Sequence, residues 1–150
     1  YPAMLSGKDV ETLASRAMLF EEYLAAERKA GRLDLALKPL PEKRALLHGH
    51  CHQKAFGLVG DVASTLSMVP ELKVEAIESS CCGMAGSFGY EAEHYDVSLQ
   101  MAELSLLPAL RKSGEGDLIV ADGTSCRHQI KDGVNRRALH VAEVLDRASA

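Results

Sequence analysis

The sequence predicts an α/β domain built on a parallel sheet of about four strands with flanking helices. Three observations predict it. From residue 45 onward, short strand-like runs alternate with helix-like runs. Asp117-Leu118-Ile119-Val120-Ala121 is a near-continuous aliphatic run, the pattern of a strand buried on both faces. Three strand-like runs are each followed by cysteine: Cys51 after the first, Cys81 and Cys82 after the second, Cys126 after the third. Right-handed crossovers would make the strands parallel, in a Rossmann-like, three-layer arrangement, and bring the cysteines together at the carboxyl edge of the sheet.

In chain order, residues 9 to 29 carry Val10, Leu13, Ala17, Phe20 and Leu24 at helical spacing. Asp9 is placed to cap this helix and Gly31 to stop it. Pro39 and Pro41 mark a connector over residues 32 to 44. Residues 1–44 are therefore expected to form a helix and connector packed on a domain spanning 45–150. Residues 45 to 50 read as the first strand, and a helix from about 52 to 68 presents Phe56, Val59, Val62 and Leu66 until Pro70 ends it. Residues 73 to 78 alternate as a strand. Residues 91 to 112 are helical with Val97, Met101, Leu104 and Leu107 inward, and Pro108 is expected to kink or shorten that helix. After the strand at 117–121, a short polar helix or loop runs through Asp132. A last strand near Ala138-Leu139 precedes a terminal helix that His140 is placed to cap.

Composition narrows the class. The 150 residues are 47% hydrophobic and 25% charged with a net charge of −4, which suits a soluble domain and gives no basis for binding nucleic acid. No apolar run approaches the roughly 20 residues of a membrane span. The sequence opens on Tyr1, so it reads as a piece of a longer chain, and nothing at its start suggests secretion; a cytoplasmic location is expected. In that setting four cysteines are reduced thiols suited to metal or redox work.

The chemistry centres on Cys81-Cys82-Gly83, with Gly86 and Gly89 following. Four thiolates suit tetrahedral zinc or an iron–sulfur cluster. Zinc ligands usually come from knuckles with two to four residues between cysteines, whereas adjacent cysteines point apart and suit a larger, multi-iron object. Gly83 permits a turn that brings backbone close to sulfur, and a helix following the turn would aim amides at it. A cluster is therefore ranked first, with zinc and buried core cysteines as alternatives. His48, His50 and His52 flank Cys51, and hydrogen bonding to backbone or sulfur is a more ordinary role for them than ligation. Arg127, His128 and Lys131 either balance charge at the site or form a solvated turn. Glu91, Glu93 and Asp96 read as complements to a helix dipole, and Met68, Met84 and Met101 as packing.

These residues resemble the cysteine-rich CCG domain of heterodisulfide reductase and of the iron–sulfur subunits of glycolate and lactate oxidases. The resemblance rests on His48-x-x-Cys51-His52, Cys81-Cys82-Gly83 and Gly123-x-x-Cys126 with His128. The runs from Cys82 to Glu91 and from Gly123 to Ile130 look most like the C-terminal end of fused flavin and iron–sulfur oxidoreductases similar to D-lactate and D-2-hydroxyglutarate dehydrogenases. The fullest pattern of that family has a fifth cysteine where this sequence has Gly123, so an ordinary [4Fe–4S] cluster is the simpler expectation. The resemblance implies Cys51, Cys81, Cys82 and Cys126 as metal ligands, with Gly83, His48, His52 and His128 around the cofactor. It also implies FAD and ferredoxin-like domains elsewhere in the parent protein, and electrons passing to a quinone or other acceptor, with partners able to bring the protein to the inner face of the membrane. A disulfide-reducing redox site is the rival activity, and a zinc-binding structural module the rival without redox chemistry.

Overall fold

A computed structural model describes residues 3–149, which divide into an N-terminal unit ending at Leu33 and a larger unit beginning at Asp34. The N-terminal unit holds two helices, α1 (Lys8–Arg16) and α2 (Phe20–Lys29), where periodicity predicted one. The break is local chemistry. Ala17 turns extended (φ −76°, ψ 120°), and the Glu22 carboxylate accepts the Leu19 backbone N–H at 2.6 Å, so a new helix is capped before the first can continue. Gly31 (φ +68°) ends α2 as its position predicts.

The larger unit is organised on β1 (Arg44–Leu47), β2 (Lys73–Ala76) and β3 (Leu118–Val120), all parallel in the order β2-β1-β3. The fourth expected strand is present only as an isolated parallel bridge between Val120 and Leu139. β2 is the more exposed edge of the sheet. At the amino edge, Arg44 joins Glu75 of β2 (2.6 Å) and Asp117 before β3 (2.9 Å), alongside the register Arg44↔Lys73 and Ala45↔Leu118. These pairs are largely solvated and fix alignment more than stability.

Each remaining long helix predicted from the sequence is also split. Cys51–Ala55 (α3) and Val59–Leu66 (α4) are separated at Gly57, whose φ of +73° no helix accepts. Two short 3-10 turns, Phe88–Tyr90 and Ala92–His94, precede Tyr95–Glu103 (α5) and Leu106–Arg111 (α6). The break between the last two lies at Ser105 (φ −155°), one turn before Pro108, where the proline ring would otherwise meet the carbonyl four residues back. Thr124–Val134 (α7) is a full helix, longer than the polar segment predicted, and Val141–Ala148 (α8) closes the chain.

α6 packs on α5 and α7, while α4 packs on α8 and β2. Leu46, Ile119 and Ala121 share a buried cluster with Leu106, Leu110 and Ile130. Strand alternation sends Ala45, Leu47, Leu118 and Val120 to the other face, and the fully buried Val62, Leu66, Val141 and Val144 lie outside the first cluster. The sheet is thus buried on both sides, and its carboxyl edge is where the loops are free to build a site. Among the described residues no helix is long and apolar enough to cross a membrane.

Candidate metal centre

Each strand delivers cysteine past its carboxyl end. Cys51 opens α3 after β1, Cys81 and Cys82 lie in the loop after β2, and Cys126 sits in the first turn of α7 after β3. All four are free thiols lining one cavity of about 450 Å³, together with His50 and His52. Within it they form two pairs. The Cys51 and Cys81 sulfurs are 3.6 Å apart in the half-exposed part. Cys82 and Cys126 are buried, at 2% and 1% exposure, and hydrogen-bonded to each other. Adjacent residues in the chain therefore serve opposite pairs, as side chains that point apart from a turn can.

Gly83 makes that turn possible. Its φ is +92°, and its backbone N–H points at the Cys81 sulfur from 3.3 Å. The next amide, of Met84, bonds the Cys82 sulfur. The long helix that was expected to aim amides at the site begins only at Tyr95, so successive N–H groups of the loop itself take that role.

Cys82 is the thiolate of the inner pair. The Cys126 thiol, and after it His48 and the Met84 N–H, hold its pKa down to about 4 against the cost of burial. Cys126 is correspondingly pushed far above the usual thiol range, first because its proton is held on the Cys82 sulfur and then by burial. Burial, followed by the Cys81 hydrogen bond, raises Cys51 as well. One negative charge already resides at the inner pair, and soft sulfur donors converge on one space.

His48, just past the end of β1, is wholly buried. Its Nδ1 lies 2.8 Å from Ser79 Oγ, and its Nε2 has no hydrogen-bond partner among the described residues. His48, Cys82 and Cys126 present ligand atoms within 4.8 Å of one another. An unpartnered buried nitrogen beside two sulfurs is costly unless something occupies the space between them.

The chain is similar from end to end to one component of a dehydrogenase complex. That component, the C-type polypeptide of anaerobic glycerol-3-phosphate dehydrogenase from Escherichia coli (strain K12), is 32% identical over 150 residues, all of this chain and 37% of that protein. D-2-hydroxyglutarate dehydrogenase of Pseudomonas putida is 38% identical over 74 residues, 49% of this chain and 7% of that protein. The Escherichia coli (strain K12) D-2-hydroxyglutarate dehydrogenase is 35% identical over 85 residues, 55% of this chain and 8% of that protein. The chain thus spans little more than a third of the polypeptide it matches over its whole length. No protein-family model and no solved structure matches it.

The structure places the sequence-selected residues unequally about the cavity. The four cysteines and His52 line it, while His48 and Gly83 stand behind Cys82. His128 is exposed, hydrogen-bonded through Nδ1 to the Tyr90 hydroxyl, and is not among the lining residues. Arg127 is committed to the carbonyls of Ala121 and Asp122 (3.0 and 2.6 Å) and Lys131 to Asn135 (2.7 Å). Lys54, unremarked in the sequence, donates to the carbonyls of Ser79 and Ser80 and so ties α3 to the cysteine loop.

Asp122 is the hub that sequence reasoning missed. Its side chain is 7% exposed, accepts from Gln53 Nε2 at 2.7 Å and from the Val141 backbone at 2.8 Å, and lies 3.6 Å from His140 Nε2. Gln53 in turn accepts the His50 N–H at 2.9 Å, and His140 caps α8 as predicted. Hydrogen bonds to a carboxylate contribute about 1.5–3 kcal/mol each, and orphaned buried donors cost more. Asp122→Ala is therefore expected to destabilise the chain by about 3 kcal/mol in urea unfolding. Asp122→Asn, which keeps one acceptor oxygen, should lose less. A midpoint for the alanine variant close to wild type would show that the hub is ornamental.

Proposed function

We propose that this chain is an iron–sulfur electron-transfer portion of a larger dehydrogenase, with Cys51, Cys81, Cys82 and Cys126 holding a [4Fe–4S] cluster. The observation that carries this reading is the meeting of all four thiols in one cavity from three separate loops. The donor set fits. Four sulfurs are the usual cluster ligands, the inner pair is already ionised at Cys82, and loop amides address Cys81 and Cys82. When bound, the cluster would supply one-electron transfer. The protein's own part is to fix the sulfurs, to place Gly83 and Met84 amides against them, and to bury the inner pair so that water does not reach it.

Similarity to dehydrogenases along the whole chain and in parts of it supports the wider assignment. We assign residues 45–150 to the cysteine-rich, Rossmann-like domain and 1–44 to the segment leading into it. The parent would oxidise a small hydroxylated acid or phosphate ester at a flavin carried elsewhere. It would pass electrons, through ferredoxin-like centres and this one, to a quinone or other acceptor, at the cytoplasmic face of the membrane. A disulfide-reducing site is a weaker reading because it needs a coordination position left open for substrate. One observation favours a second reading. His48, Cys82 and Cys126 alone, buried within 4.8 Å of one another, would suit a single zinc ion with a structural role.

Anaerobic incubation with iron and sulfide, followed by metal analysis and visible and EPR spectra, decides between them. A brown, reducible protein with about four irons per chain is expected. A colourless chain that retains one zinc, or stays folded without metal, would sink the cluster.

A further inference from the structure

The fifth cysteine of the resembling pattern is absent here, and Gly123 stands in its place. The backbone of Gly123 (φ −69°, ψ 126°) suits any residue, so what glycine provides is room rather than conformational freedom. The room is taken by His50. A Cβ at position 123 would lie 2.2 Å from His50 Cδ2, 3.1 Å from its Nε2 and 3.0 Å from Cys126 Sγ. The Nε2 edge of the ring and the Cys126 sulfur thus flank the point from which a fifth side chain would grow. The same ring lines the cavity with the four cysteines.

His50 also has a fixed orientation and protonation pattern. Its Nδ1 accepts the His52 backbone N–H at 3.3 Å, capping α3, and its own backbone N–H goes to Gln53. A ring nitrogen that accepts carries no proton, so the proton of the neutral imidazole sits on Nε2. Burial, and next the neighbouring His52, lower the His50 pKa and favour that neutral form. For Nε2 to ligate a metal instead, the proton would have to move to Nδ1, where it would face the His52 donor.

We propose that His50 is a positioning residue that donates an N–H···S hydrogen bond from Nε2 to the sulfur-bound group, in the space that Gly123 leaves open. This rests on the cluster reading above. A donor to cluster sulfur stabilises the more negative, reduced state, so His50 raises the reduction potential of the site.

The test uses His50→Asn, because asparagine is itself a good N-cap and keeps α3 closed while removing the donor. On the reconstituted chain, the variant should keep its iron and colour. Its EPR-monitored midpoint potential should fall, and it should lose a coupling to an exchangeable deuteron that pulsed EPR detects in the wild type. Gly123→Ala should displace the ring and shift the potential the same way, with little further change in the double variant, the non-additivity expected of two changes to one contact. An iron-replete His50→Asn with wild-type potential and deuteron couplings would overturn the inference and leave the cluster reading intact. So would a directly bonded imidazole nitrogen in the wild type, or an Nδ1–H tautomer for His50 in NMR of the metal-free chain. A wild type that takes up no iron would overturn the cluster reading, and the inference with it.

Discussion

Replacing Cys82 with serine should abolish stable cluster incorporation, a larger loss than the same change at Cys51. Cys82 is 2% exposed and its thiol is held as the thiolate near pKa 4, chiefly by the Cys126 hydrogen bond. Serine has no accessible anionic form in that range, so the inner pair would lose its charge and its soft donor together. Cys126 would be left with a proton and no sulfur acceptor in a buried site. Cys51, by contrast, faces Cys81 in the half-exposed part of the cavity, where solvent can compensate a weaker ligand. Reconstituted Cys82→Ser should therefore carry far fewer than the about four irons of a complete cluster. Cys51→Ser should retain a partial or altered spectrum. Iron content and visible absorbance of the two variants side by side provide the check. A Cys82→Ser protein with full iron and an unchanged spectrum would remove Cys82 from the ligand set.

The site was legible in the sequence because its signal is local to each strand. Leu46-Leu47 and Leu118-Ile119-Val120 are aliphatic runs that suit buried parallel strands, and cysteine placed past each run needs only parallel pairing to converge. What surrounds the thiols was not legible, for a physical reason. Asp122 meets Gln53 and Val141, and His50 meets Gly123, across separations that no periodicity encodes. An aspartate just after a strand reads as a turn residue until its partners are placed. The helix breaks were obscured differently. Apolar spacing continues across residues 17–19, 56–58 and 104–105, while capping by Glu22, the positive φ of Gly57 and the ring of Pro108 interrupt the backbone beneath it. The reduced fourth strand shows the converse. Leu139 makes two backbone hydrogen bonds to the β3 segment, yet Arg136 and Arg137 before it and the cap at His140 after it leave it no length.

Gly83→Ala should be the most destabilising single-methyl change in the cysteine loop. At φ +92° an L-residue is strained by about 1–2 kcal/mol before any contact is counted. The added Cβ would then lie 2.0 Å from the Ser98 carbonyl oxygen and 2.9 Å from its carbon, backbone atoms of α5 that cannot swing aside. That carbonyl is also fixed from the other side, since Gln129 of α7 donates to it at 3.1 Å in a buried setting. Relief by moving Ser98 would break this bond, at about 1 kcal/mol, and overpacking of a closed core adds about 1–3 kcal/mol. The sum is about 3–5 kcal/mol, large beside the roughly 5–15 kcal/mol stability of an ordinary domain. Gly86→Ala supplies the control. Its φ of +71° carries the same kind of strain, but nothing lies within 4 Å of the added methyl, so it should cost only about 1–2 kcal/mol. Urea midpoints of the two metal-free variants measure the difference directly. Equal midpoints would mean that the loop yields at Gly83 and that contact with Ser98 does not hold the turn. The turn is what sends Cys81 to Cys51 and Cys82 to Cys126. A Gly83→Ala chain that remains folded should therefore still fail to take up iron, which separates the geometry of the loop from the stability of the domain.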